Sequence, residues 1–140
     1  MKKVIAVVVV ILAGVCFAES PRHVEVVAEV GLTKQTGTAT GTLYTPSETG
    51  VFRVNFMTQC TSGGSGTVEP RLSWVDDNGG EFYPTSATVP CEDPHTPVSF
   101  IFIIKAIAGQ PITWTVFGGL QGENIFEVYI ALEQIGPKVQ

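Results

Sequence analysis

Between Gly50 and Cys60 the chain reads Gly-Val-Phe-Arg-Val-Asn-Phe-Met-Thr-Gln-Cys, and its alternation is strict. Phe52, Val54, Phe56, Thr58 and Cys60 fall on one side, and Arg53, Asn55 and Gln59 on the other. A period of two sends successive side chains to opposite faces of a strand, so one face is buried and the other is wet. The inward set ends in a cysteine, which makes this strand both a piece of core and a covalent anchor.

The segments around it carry the same signal. His23–Val30 alternates Val24, Val26, Ala28 and Val30 against His23, Glu25, Val27 and Glu29, a strand with one wet face. Gly37–Tyr44 is threonine-rich and interrupted by Gly41, which suits an edge strand. Thr67–Val75 sets Val68, Leu72 and Trp74 opposite Glu69, Arg71 and Ser73. Asp76-Asp77-Asn78-Gly79-Gly80 then turns the chain, Asn-Gly being a strong hairpin signal, and Glu81-Phe82-Tyr83 begins the return before Pro84. Ile112–Phe117 and Asn124–Ile135 close the chain, the latter with Phe126, Val128, Ile130 and Leu132 inward and Glu127, Tyr129 and Glu133 outward. The Gly-rich stretch Thr61–Gly66 reads as a flexible loop between strands, because it lacks the Gly-Lys-Ser/Thr ending of a phosphate loop.

Pro97–Ala108 breaks the pattern. Phe100, Phe102, Ile104 and Ala106 take one face, but Ile101, Ile103 and Ile107 take the other. A strand apolar on both faces has both faces covered, so a loop or another subunit is expected over Ile101, Ile103 and Ile107. The expected architecture is an all-β antiparallel sandwich, jelly-roll-like, of about eight strands. No segment after the leader reads as a helix.

Met1-Lys2-Lys3, an apolar run from Val4 and the ending Cys16-Phe17-Ala18 describe a secretory signal peptide. Even counted through Ala18 the run is 15 residues, short of the roughly 20 that a spanning helix needs. Cleavage after Ala18 leaves a single domain, residues 19–140, in a secreted, periplasmic or cell-surface setting. Lipidation of Cys16 is the alternative processing; Val15 before it departs from the usual lipoprotein box. Cys60 and Cys91 then remain, an even pair in an oxidising compartment, and a disulfide is the default. A bridge enclosing 30 residues stabilises by about 3–4 kcal/mol in the chain-entropy model.

Loss of Lys2 and Lys3 takes the net charge from −5 to −7. With no basic cluster, nucleic acid and anionic membrane surfaces are not expected partners.

Gly50-Val-Phe-Arg-Val-Asn-Phe, leaving a Pro-containing turn, resembles the Gly-x-Tyr/Phe strand of tumour-necrosis-factor and C1q-like jelly rolls. Phe126-Glu-Val-Tyr-Ile-Ala-Leu-Glu-Gln-Ile fits the long closing strand of such domains. Gly66-Thr-Val-Glu-Pro-Arg-Leu-Ser-Trp-Val-Asp-Asp-Asn-Gly is similar to small uncharacterised β domains of phage tail and bacterial exported proteins. The resemblance implies a trimeric jelly roll that displays loops or binds a partner, and it carries over no catalytic residue.

Catalytic signatures are missing from the sequence: no Gly-x-Ser-x-Gly, His-Glu-x-x-His or Cys-x-x-Cys occurs. A hydrolase would have to use the Glu92-Asp93-His95 loop, and no cofactor is implied. Asp76, Asp77, Glu92 and Asp93 offer hard oxygen ligands for calcium, but in no recognisable calcium-loop spacing, and Asp-Asp-Asn-Gly is equally good turn chemistry. Trp74 and Trp114 alternate with the apolar set of their strands and are expected in the core, leaving Tyr83 and Tyr129 as exposed aromatics for a sugar ring. The expected function is therefore a non-catalytic structural or binding module, a homo-oligomer assembling through Ile101, Ile103 and Ile107 around a threefold axis. A monomeric carbohydrate-binding module is the alternative, and a hydrolase the weaker one.

Overall fold

The computed structural model describes residues 24–62, 64–76, 78, 81–82, 88–118 and 124–136. Residues 1–18, the expected leader with Cys16, and also His23, Asp77 and Tyr83, lie outside these. Among the described residues nine antiparallel strands run in order: β1 Glu25–Gln35, β2 Thr38–Tyr44, β3 Gly50–Cys60, β4 Thr67–Val75, β5 Glu81–Phe82, β6 Val89–Pro90, β7 Val98–Ala106, β8 Ile112–Phe117 and β9 Phe126–Gln134. No helix occurs among the described residues.

The pairing is nested. β1 pairs β9, β2 pairs β8 and β3 pairs β7, while β4 pairs β5 at one end and β6 at the other. β5 and β6 meet β4 in registers offset by one residue, so together they fill a single lane. The chain is thus one long hairpin of eight lanes. Rolling it up sets β3 beside β9 and β4 beside β8, which yields a first sheet β1-β9-β3-β7 and a second sheet β2-β8-β4-β5 with β6. This is the jelly-roll arrangement of two facing sheets.

Each inward position follows from the alternation. β3 contributes Phe52, Val54 and Phe56, β9 contributes Phe126, Val128, Ile130 and Leu132, and both strands are central in the first sheet. Leu43, Val68, Leu72, Ile112, Trp114 and Val116 meet them from the second sheet. The buried Thr58 satisfies its hydroxyl by donating to the Glu127 carbonyl at 2.9 Å, as a buried polar group must. Trp114 is buried, and Gly41 on the neighbouring β2 leaves room for it: a Cβ there would stand 3.2 Å from the indole nitrogen.

Cys60 and Cys91 form the expected disulfide, with Cα atoms 5.3 Å apart. It joins the end of β3 in one sheet to the residue after β6 in the other, an inter-sheet staple. The glycine-rich stretch beside it is not a loose connector. Thr61 N–H donates to the Ile125 carbonyl at 2.7 Å, Ile125 N–H to Ser62 Oγ at 2.9 Å, and Cys91 N–H to the Gly66 carbonyl at 2.9 Å. The side chain of buried Asn124 wedges between Gly64 and Gly66, where added Cβ atoms would stand 2.8 and 2.3 Å from it. The glycines therefore make space for packing.

Two expectations about strand faces need correction. In β1 the register shifts between Val26 and Ala28, a bulge that adds a residue and inverts the alternation. Val24 and Val26 are consequently exposed, each by 51%, while Val27 joins Ala28, Val30 and Leu32 against the core. The two-faced apolar strand is also shorter than expected. β7 ends at Ala106, and Ile107 leaves the sheet half-buried, its N–H donating to the Val75 carbonyl at 3.2 Å.

Candidate interaction surface

Strand registers fix what the outer face of the first sheet presents. Each cross-strand row takes one residue from each of β7, β3, β9 and β1. One row is Ile103, Arg53, Glu133 and Val26; the next is Ile101, Asn55, Ala131 and Glu29; the third is Ser99, Met57, Tyr129 and Gly31. Of the seven large apolar side chains exposed among the described residues, Val26, Met57, Ile101, Ile103 and Tyr129 share this face. Ile101 is 69% exposed and Ile103 60%, and no described residue covers them.

The centre of the face is polar and internally paired. The Arg53 guanidinium forms an ion pair with Glu133 across β3 and β9, and Gln59 donates to Glu127 at 3.0 Å. Tyr129 O–H donates to Glu29 Oε1 at 3.1 Å. That hydrogen bond, with the adjacent carboxylate charge, raises the phenol above its ordinary range. The most exposed apolar side chains of this face are therefore at the β7 margin, with Met57 and Tyr129 in one central row and Val26 at the β1 margin.

The other candidate residues do not converge. Asp76 accepts from Asn78 N–H at 3.0 Å and from its amide at 3.3 Å, and Asp93 accepts from Thr96 Oγ1 at 2.9 Å; both are turn bonds. Asp76 follows the end of β4, whereas Glu92 follows Cys91, which is bonded to Gly66 just before the start of β4. A nine-residue strand, roughly 30 Å, separates Asp76 from Glu92 and Asp93, so Asp76 does not share an ion with them. No group of three His, Cys, Asp or Glu suited to a metal occurs among the described residues. His95, with a φ of 74°, donates its backbone N–H to the Cys60 carbonyl at 2.7 Å and so serves the staple.

The aromatics are similarly dispersed. Trp114 is in the core, Trp74 is half-buried against it, and Tyr44 lies against Phe52 with ring centroids 6.0 Å apart. Of the aromatics considered for a sugar ring, Tyr129 alone stands exposed among the described residues, on the outer face of the first sheet. A small notch of about 20 Å³ between Tyr44, Pro46, Glu48 and Gln134 has room for roughly one water. Among the described residues no helix is long and apolar enough to cross a membrane.

The threonine-rich β2 is a sheet margin, as its composition and Gly41 suggest, but the β7 edge is not legible in sequence. That β7 is a margin of its sheet, and that Ile101 and Ile103 lie beside an open backbone edge, follow only from the strand order.

No protein-family model matches the chain, and none of the curated proteins compared with it does. Several solved structures are similar to it at low identity. The VP2 subviral particle of infectious bursal disease virus is 12% identical, covers 81% of this chain and 33% of its own, and superposes with a TM-score of 0.48. This chain thus spans about a third of the VP2 chain. The C-terminal family 22 carbohydrate-binding module of Clostridium thermocellum Xyn10B is 19% identical over 76% of this chain and 71% of that one, with a TM-score of 0.44. The Eiger TNF of S. frugiperda is 11% identical over 81% and 95%, with a TM-score of 0.46. The chain is similar to all three as a jelly-roll β-sandwich.

Proposed function

We propose that the mature chain is an exported, non-catalytic module that assembles with copies of itself through the outer face of its first sheet. One observation carries this reading: Ile101 and Ile103, 69% and 60% exposed, stand side by side on a face that also exposes Val26, Met57 and Tyr129. Two adjacent, widely exposed isoleucines on a strand margin are the kind of apolar surface that marks an interaction site. The disulfide between Cys60 and Cys91 fits the oxidising setting that an export signal implies. The sequence reading sets the copies around a threefold axis, and a trimer is the assembly it favours.

Light scattering after size exclusion, on residues 19–140 under oxidising conditions, tests the assembly. An oligomer that Ile103→Lys converts to a folded monomer supports the reading; an unaltered assembly in that variant, or a monomeric parent, removes it. A second reading, glycan binding, is favoured by Tyr129, a 41% exposed ring whose hydroxyl is held by Glu29. A glycan array on which wild type and Tyr129→Ala behave alike would exclude it.

A further inference from the structure

The four margins of the two sheets are not equivalent. β1 carries two register shifts, Lys34 at a φ of 55°, and exposed Glu25 and Glu29. β2 is threonine-rich, contains Gly41 and shifts register between Thr42 and Tyr44. In the fourth lane of the second sheet the strands among the described residues are β5 and β6, of two residues each, and β6 contains Pro90. Bulges, charges, prolines and short strands are the usual means of keeping a sheet edge from pairing with another chain. β7 has almost none of them. It runs nine residues in unbroken register with β3, without proline or bulge, and Lys105 is its only charge. Among the described residues its outer edge has no strand partner.

The sequence of β7, Val-Ser-Phe-Ile-Phe-Ile-Ile-Lys-Ala, is also complementary to itself when reversed. An antiparallel pair of two β7 strands centred on Phe102 sets Ile101 against Ile103, Phe100 against Ile104, Val98 against Ala106 and Ser99 against Lys105. Facing residues stay on the same side of the sheet, so the two outer faces would join around a cluster of four isoleucines. Phe100 and Phe102, half-buried at this margin and stacked 6.5 Å apart, would be covered from the other side. Neither lysine opposes a lysine. Sliding the pair by two residues puts Ile103 against Ser99 or Ile101 against Lys105, which is poorer in both cases.

We propose that β7 is a strand-addition edge and that its partner is β7 of a second copy, giving an eight-stranded sheet across a twofold axis. Backbone pairing along an open edge supplies affinity, and the alternate side chains supply register. The contact is isologous, as a twofold interface must be. This inference rests on the self-assembly reading and specifies its partner surface and symmetry, replacing the threefold expectation with a twofold one.

The test combines mass with cross-linking of the mature, oxidised protein. In the Phe102-centred pair, Ser99→Cys in one copy faces Lys105→Cys in the other, whereas two copies of the same cysteine stand roughly 20 Å apart. A dimeric wild type is expected, with a short bis-maleimide linking a mixture of the two variants at least tenfold more efficiently than either alone. Ile103→Lys is expected to weaken the dimer at least tenfold while remaining folded by circular dichroism. A trimer or larger assembly without preferential cross-linking would overturn edge pairing and leave self-assembly standing. A monomer well above micromolar concentration would overturn both.

Discussion

The two outer faces of the sandwich are built from strands of similar propensity, yet they end in different states. On the second sheet the outward positions are Thr38, Thr40 and Thr42 on β2, Thr113 and Thr115 on β8, and Glu69, Arg71 and Ser73 on β4. Thr40 Oγ1 lies 2.9 Å from Thr115 Oγ1, and Arg71 pairs with Glu69 at 2.8 Å. The large exposed apolar group there, Phe117, is lidded by the Arg71 guanidinium 4.6 Å from its ring centroid, a favourable cation–π contact. On the first sheet the outward isoleucines of β7 have no such cover among the described residues. Threonine and isoleucine are both β-branched and suit a strand equally. The difference between the faces therefore lies in what each asks of its surroundings. One is complete in water, and the other gains by association.

What the faces share sets the largest expected effects. Phe56 is 1% exposed on the central strand of the first sheet and packs in the common core. Phe56→Ala is expected to cost about 3–5 kcal/mol in chemical denaturation, with both sheets lost in one transition. Separate transitions would mean that the faces belong to independently stable layers. Replacing Cys60 and Cys91 by serine removes the inter-sheet staple, with an expected loss of about 3–4 kcal/mol. A loss well under 1 kcal/mol would show that Asn124 and the hydrogen bonds around Thr61 and Ser62 hold this end unaided.

The sharpest test of the comparison is to give one face the chemistry of the other. Ile101→Thr with Ile103→Thr turns the β7 margin into a copy of the threonine face. Stability is expected to change by less than about 1 kcal/mol, while association weakens at least tenfold. A large loss of stability with unchanged association would mean that the isoleucines serve the monomer. Smaller still is the effect of the two arginines. Arg53→Ala breaks the pair with Glu133, and Arg71→Ala uncovers Phe117; side chains 41% and 43% exposed make each pair worth less than about 1 kcal/mol. High salt is expected to shrink both effects, and Arg71→Ala is expected to keep a residual cost from Phe117.

Much of the sandwich is legible in the amino-acid sequence, because alternation is a local property. β3 and β9 bury the side chains that their period assigns, since central strands packed on one face have no freedom to slip. The Cys60–Cys91 pairing is legible from the even number of cysteines left once the expected leader is set aside. The failures have local causes as well. Val24 and Val26 face water because a bulge at Val27 changes the parity of β1, and nothing in Val-Glu-Val-Val-Ala announces a bulge. The glycines at 64 and 66 look like slack in sequence, because the residue they accommodate, Asn124, is distant along the chain and meets them only in the fold. The candidate surface is half legible. A strand apolar on both faces identifies Ile101 and Ile103 as unusual, but the sequence does not say that the strand is a margin. Edge or centre is decided by strand order, and that order follows from the rolling of the whole hairpin.

The smallest effect distinguishes the polar middle of the first sheet from its apolar margin. Tyr129 stands between Met57 and Gly31, and its hydroxyl donates to Glu29 at 3.1 Å. The hydrogen bond, the carboxylate charge and slight desolvation all raise its pKa above the ordinary 10.0. A raised folded-state value means that the contribution is intact below the unfolded pKa and is lost as the pH rises through the folded one. In a near-ultraviolet titration, the phenolate signal that Tyr129→Phe removes should therefore appear later than that of a free tyrosine. Glu29→Gln should bring it back toward the ordinary range. If association covers this part of the face, the titration should move further upward with protein concentration. If contact is confined to the β7 margin, two strands away, it should not move at all.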